Sequence, residues 1–129
     1  MSAGQRRTSS HTITDLADGE VFVFGSNASG AHGGGAARTA YERFGAVWGQ
    51  GHGLQGRSYG IDTMSGWDAF VADVRDFLAF AADHPELTFL LTPVGTGIAG
   101  WDAARVAPLF TDAPDNVLLP EPFATLLDR

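Results

Sequence analysis

Two glycine-rich stretches, Gly33-Gly34-Gly35 and Gly95-Thr96-Gly97-Ile98-Ala99-Gly100, are the parts of this chain best suited to chemistry. The triplet opens a segment with helical apolar spacing. A helix N-terminus carries unpaired N–H groups and about half a positive charge, so it attracts anions without a basic side chain. Residues with no Cβ let several of those N–H groups approach phosphate oxygens closely. The second stretch follows a strongly apolar run, and in α/β sheets ligands collect at the C-terminal ends of strands. The two together could grip a diphosphate; the plainer reading is that the glycines only permit tight turns. With no GxxxxGK[ST] and no Lys anywhere in the chain, a nucleoside triphosphatase phosphate loop is excluded. The spacing is not GxGxxG with an acid twenty residues on, which disfavours a dinucleotide dehydrogenase.

The elements that must position these loops follow from apolar periodicity. Glu20-Val21-Phe22-Val23-Phe24 is β-branched and aromatic and stops at Gly25-Ser26-Asn27, which predicts a buried strand with a functional loop after it. Ala37, Ala40, Tyr41 and Phe44 fall on one helical face and predict a helix from Gly34 to Phe44. Ala46-Val47-Trp48 and Ser58-Tyr59-Gly60-Ile61 read as short extended segments. Four glycines among residues 49–56 predict an irregular loop between them. Phe70, Val71, Val74, Phe77, Leu78 and Ala81 form the stripe of a long helix from Trp67 to Ala82. Leu87 to Thr92 is apolar on nearly every position and predicts a central strand. A short helix from about Asp102 to Phe110, a strand Asn116 to Pro120 and a turn or helix over Pro122 to Leu127 complete the chain. Alternating strands and helices predict an α/β fold, a three-layer α/β/α sandwich on a mixed central sheet.

The chain has 129 residues, the length of one domain, expected over residues 11–129 behind a flexible polar tail, 1–10. Fifteen acids against eight bases, all Arg, give a net charge of −7, which opposes general nucleic-acid binding. The absence of Cys makes the fold independent of disulfides and fits a cytoplasmic location. No run of residues is long and apolar enough to suggest a membrane span. His11, His32, His52 and His84 lack ligand-pair spacing, so neither a metal site nor a cofactor is expected.

Phe24-Gly25-Ser26-Asn27, His32-Gly33-Gly34-Gly35-Ala36-Ala37 and Gly95-Thr96-Gly97-Ile98-Ala99-Gly100-Trp101 together resemble the macro domain pattern. The likeness is strongest to a short phage and bacterial macro-like branch, through Gly53-Leu54-Gln55-Gly56-Arg57-Ser58-Tyr59, Ala107-Pro108-Leu109-Phe110 and Asn116-Val117-Leu118-Leu119-Pro120. It covers about residues 20 to 123. It implies a crevice for ADP-ribose or an ADP-ribosylated macromolecule. Asn27 would then hydrogen-bond the distal ribose, with Ser26 beside it among the ligand-binding residues; Gly33, Gly34 and Gly35 would let the ribose approach, and Gly95, Thr96, Gly97, Ile98, Ala99 and Gly100 would donate N–H groups to phosphate. Trp101 takes the aromatic place after that loop. The plainer readings are that Asn27 caps a turn and that Trp101 belongs to the core.

The sequence departs from the family's hydrolases. The Asp that follows the glycine triplet in the common type is replaced by Ala36-Ala37. A Lys nucleophile is impossible here, and Glu20, Glu42, Glu86 and Glu121 supply no adjacent pair. Three readings remain. In the first, an atypical ADP-ribosyl hydrolase uses Asn27 to hold the ribose and His32, Asp62 or Asp102 to move protons. In the second, the chain is a non-catalytic reader of ADP-ribose. In the third it is a phage-related interaction or structural protein with a vestigial crevice.

Overall fold

The computed structural model describes residues 13–128. Along these the chain forms β1 (Glu20–Ser26), α1 (Gly35–Arg43), β2 (Gly53–Gln55), β3 (Ser58–Asp62), α2 (Trp67–Ala82) and β4 (Thr88–Leu91). Then come α3 (Ala103–Val106), a 3-10 turn (Ala107–Phe110), β5 (Val117–Leu118) and α4 (Glu121–Leu127). The five strands make one mixed sheet in the order β2-β3-β1-β4-β5. Only β2 runs antiparallel to its neighbour.

Period-two alternation along β1 divides the interior between two faces. Val21 and Val23 join Phe70, Val74 and Phe77 of α2, together with Val106, Phe110 and Phe123, on one side. Phe22 and Phe24 meet Ala37 and Ala40 from α1, and Phe44 at its C-cap, on the other. The result is the three-layer α/β/α arrangement expected. Because β1 pairs in parallel with both β3 and β4, with Ser26 opposite Asp62 and Val23 opposite Leu91, the loops leaving all three strands emerge along one edge of the sheet.

Each boundary has a local cause. Pro93 lacks the N–H a further ladder bond would need, and the chain turns away two residues after Leu91. The expected helix over 102–110 divides into α3 and a 3-10 turn, because Pro108 inside it removes a donor and its ring crowds the preceding turn. The end of α2 is secured from far along the chain. The Asn116 Nδ2 amide lies 2.9 Å from Ala81 O, 3.1 Å from His84 O and 3.0 Å from Leu87 O, sharing its two hydrogens among the three carbonyls; the first two also accept the backbone N–H groups of His84 and Leu87.

Two expectations are corrected between α1 and β3. Ala46-Val47-Trp48 forms no strand, and the glycine loop expected over 49–56 contains β2, a hydrogen-bonded strand over Gly53–Gln55. Side chains are the reason. Val47 donates its N–H to Gln55 Oε1 at 2.7 Å, and its carbonyl accepts from His32 Nε2 at 2.8 Å. A residue whose two backbone groups are already served has none left for a ladder. Tyr41, expected on the buried face of α1, is 47% exposed and packs edge-on against Trp48. The tail expected over residues 1–10, and His11, lie outside the described residues.

Candidate functional site

The loops after β1, β3 and β4 and the first turn of α1 enclose a cavity of about 440 Å³. One wall is Gly34, Gly35, Ala36 and Ala37; another is the run from Thr92 to Ala99; Gly25, Ser26, Asn27 and Ala31 with Thr63 and Met64 complete it. A second cavity of about 310 Å³ shares Ala36, Thr92 and Pro93 with the first and adjoins it. Its other walls include Ile13, Phe22, Leu91, Pro120 and Pro122, with Glu121 among them.

Both glycine loops expected from sequence therefore meet in one cavity, and their backbones present donors to it. The first turn of α1 has no side-chain cap and no acidic residue, which leaves the N–H groups of Gly35, Ala36 and Ala37 without intrahelical acceptors. In the opposite loop the N–H groups of Gly97, Ile98 and Ala99 donate to no acceptor among the described residues.

Gly34 and Gly97 are unlike the other glycines that line the cavity. Gly34 has φ −157°, extended backbone open to any residue, and Gly97 has no positive φ. A Cβ built on either meets nothing within 4 Å. Neither chain conformation nor internal packing calls for glycine at these two positions. Gly95 differs, since its Cβ would press on the Phe70 ring at 3.1 Å and the Trp101 ring at 3.2 Å.

The structure relocates four of the expected site residues. Gly33, Gly100, Trp101 and His32 do not line the cavity. Trp101 lies behind the loop, stacked on Phe70 with ring centroids 5.0 Å apart and edge-on to Trp67. Its N–H closes the loop onto Gly95 O at 3.0 Å, so this aromatic supports the loop from below. His32 is fully buried, caged by Phe24, Tyr41 and Trp48. Its Nε2 donates to Val47 O, and Nδ1 has no partner. It pins one loop to another, and it is neither a proton-transfer group at the cavity nor a solvent-facing loop residue.

Asn27 does line the cavity, but its amide is already engaged. Oδ1 accepts from Ala31 N–H at 3.0 Å and Ser29 Oγ–H at 2.8 Å, and Nδ2 donates to Ala31 O at 2.9 Å. The side chain thus shapes the 27–31 turn as an Asx-type brace. Asp62 ends β3 and caps the following loop through Met64 N–H and Ser65 Oγ–H. Asp102 stands at the N-cap position of α3 with no side-chain capping bond. Neither aspartate lines the cavity.

Two residues that sequence reasoning missed, Thr63 and Met64, belong to the cavity. Thr63 donates N–H and Oγ1–H to Ser26 O at 3.0 and 3.1 Å, tying the loop after β3 to the end of β1. The signal was available: a loop leaving the neighbouring parallel strand must open at the same edge.

No residue lining the larger cavity is ionisable. Its polar equipment is backbone amide, the Asn27 side chain and the hydroxyls of Ser26, Thr63, Thr92 and Thr96. Such a site can bind and orient, but it contains no carboxylate or imidazole to act as general acid or base. Among the described residues no group of His, Asp and Glu is placed to hold a metal ion, and no helix is long and apolar enough to cross a membrane.

Among the described residues, the one carboxyl with a displaced titration lies beneath this edge. Asp73 of α2 accepts the Asp62 N–H at 2.7 Å, and its other oxygen is 3.7 Å from the largely exposed His52 ring. Burial raises its pKa from 3.8, reinforced by Asp76 and Asp62 and opposed by the Asp62 N–H bond and His52. Burial, with Asp73 and Asp76 nearby, pushes the Tyr59 hydroxyl up to about 12. A carboxyl with a raised folded pKa holds its proton longer in the native state than in the unfolded one. Stability therefore falls as pH rises from 3.8 through the folded value. We expect Asp73→Asn, which keeps an acceptor for the Asp62 N–H, to remove that contribution. Urea titrations of both proteins across the acid range check this. A difference in stability that does not change with pH would refute it.

Comparison with protein-family models, with curated proteins and with solved structures found no match. What fold and site define together is a mixed α/β protein whose larger cavity, at the C-terminal edge of its parallel strands, is donor-rich and lined by no ionisable residue.

Proposed function

We propose that this protein binds ADP-ribose, or a closely related diphosphate nucleotide, as a reader and not as a hydrolase. The observation that carries the reading is the pair Gly34 and Gly97. Each is a glycine that its own backbone and neighbours do not require, and each borders the same cavity beside unpaired N–H groups. A ligand passing close to both accounts for the missing side chains. Unpaired backbone donors on two walls match an acceptor-only group such as a diphosphate. The adjoining apolar cavity, with Pro120, Pro122, Phe22 and Leu91 in its walls, suits a planar base, and the two volumes fall in the usual range for small-molecule sites.

The absence of cationic side chains from the walls narrows the ligand further. Helix-terminal and loop amides supply only partial charges, in a protein of net charge −7. An internal diphosphate brings less charge than a terminal one, so ADP-ribose is expected to bind more tightly than ADP, and ADP more tightly than ATP. Calorimetric titration with the three nucleotides tests this. No heat and no thermal shift at about 1 mM ADP-ribose, a concentration that reveals even weak binding, would sink the proposal. Prolonged incubation with ADP-ribosylated protein should leave the modification intact by mass analysis, and its release would restore the hydrolase reading.

A further inference from the structure

Ser26 ends β1 with its backbone clamped and its hydroxyl unused. Its carbonyl accepts both the N–H and the Oγ1–H of Thr63, which fixes the residue in place. The side chain is only 3% exposed, and Oγ has no hydrogen-bond partner. Alternation along β1 puts Ser26 on the same face as Phe22 and Phe24, the face that α1 covers. The residue also lines the larger cavity together with the first turn of α1. Buried side-chain hydroxyls are nearly always paired, and an exception calls for a missing partner. The spare backbone groups on the cavity walls are N–H donors, so an acceptor is what the site lacks.

We propose that Ser26 Oγ–H is a binding donor completed only when a phosphate-type oxygen enters the cavity beside the first turn of α1. It thereby sets the preference for a phosphate-bearing ligand over the bare nucleoside. This rests on the diphosphate reading above and adds a consequence that reading does not contain. The hydroxyl weakens the free protein, where it is dehydrated and unpaired, and strengthens the complex.

Ser26→Ala separates the two effects because it deletes one oxygen and leaves the strand intact. In the ligand-free protein the variant should melt about 2–4 °C higher. Its affinity for ADP-ribose should fall about tenfold, the loss of one hydrogen bond to a charged group, while adenosine binds both proteins equally. Unchanged affinity for ADP-ribose overturns the proposal and shows that the hydroxyl does not meet the ligand. An unchanged or lower melting temperature also overturns it, because the hydroxyl then has a partner in the free state. Equal weakening toward adenosine overturns the assignment to phosphate. If the wild-type protein binds no ADP-ribose at all, the functional reading itself fails and this inference falls with it.

Discussion

Replacing Gly34 by Val is expected to abolish ADP-ribose binding, by at least about a hundredfold, while leaving the protein as stable as before or slightly more so. The branched side chain suits the extended backbone at φ −157°, ψ 167°. Its Cβ has nothing within 4 Å to displace. Removing glycine from a position that tolerates a side chain also restricts the unfolded chain, which adds about 0.4–1 kcal/mol. Val is a poorer N-cap than Gly at the start of α1, which offsets that gain, and the larger cost falls on whatever enters the cavity. Gly97→Val on the opposite loop should behave alike, since its Cβ position is equally open. Calorimetry paired with thermal melts reads both effects. Wild-type affinity in either variant would mean that its glycine is only part of a turn.

The opposite result is expected at Gly51, a glycine of the loop that precedes β2. A Cβ there would stand 2.0 Å from the carbonyl oxygen of Asn27, and neither backbone can be rotated out of the way as a flexible side chain could. Gly51→Ala should therefore cost about 3 kcal/mol and lower the melting temperature by on the order of 10 °C. By forcing the 27–31 turn outward it should also weaken ligand binding, although residue 51 does not line the cavity. The same contact is made from the other side by Gly30, whose Cβ would lie 2.3 Å from the Gln50 N. An alanine variant with unaltered melting would show that the two loops can separate freely. The pairing of Gly34→Val with Gly51→Ala is informative in itself: a smaller substitution away from the cavity should do more harm to the fold than a larger one in its wall.

Much of this architecture was legible where the determinants are local. The apolar stripe from Phe70 to Ala81 gave α2 its bounds of Trp67–Ala82, and the unbroken apolar run Val21 to Phe24 marked β1 as a buried strand, which the structure places between two layers. The meeting of the two glycine loops followed from the rule that functional loops leave the C-terminal ends of parallel strands. What was not legible depends on side chains acting across the chain. Val47 looked like a strand residue because its own side chain suits one. Its backbone is instead claimed by Gln55 and His32, a pairing no periodicity records. His32 resembled a reactive loop residue from its position beside the triplet, yet it points into an aromatic cage. For Trp101 the plainer of the two readings, a core residue, is the one its packing against Phe70 bears out. The role of Gly51 was hidden for the same reason, since its neighbour Asn27 is distant in sequence.

The amide of Asn116 bears on how the chain comes together in time. It reaches back 35, 32 and 29 residues to its three carbonyl partners, so a chain emerging from synthesis holds α2 and β4 with their junction unsealed until residue 116 arrives. Contacts closed over such separations form late. The loop from Thr92 to Ala99 hangs from the far end of β4 and inherits that delay. A nascent chain halted before residue 116 would carry both glycine stretches without the framework that aligns them. Competence for the ligand would then appear as a single late event, and not by increments as each loop is made.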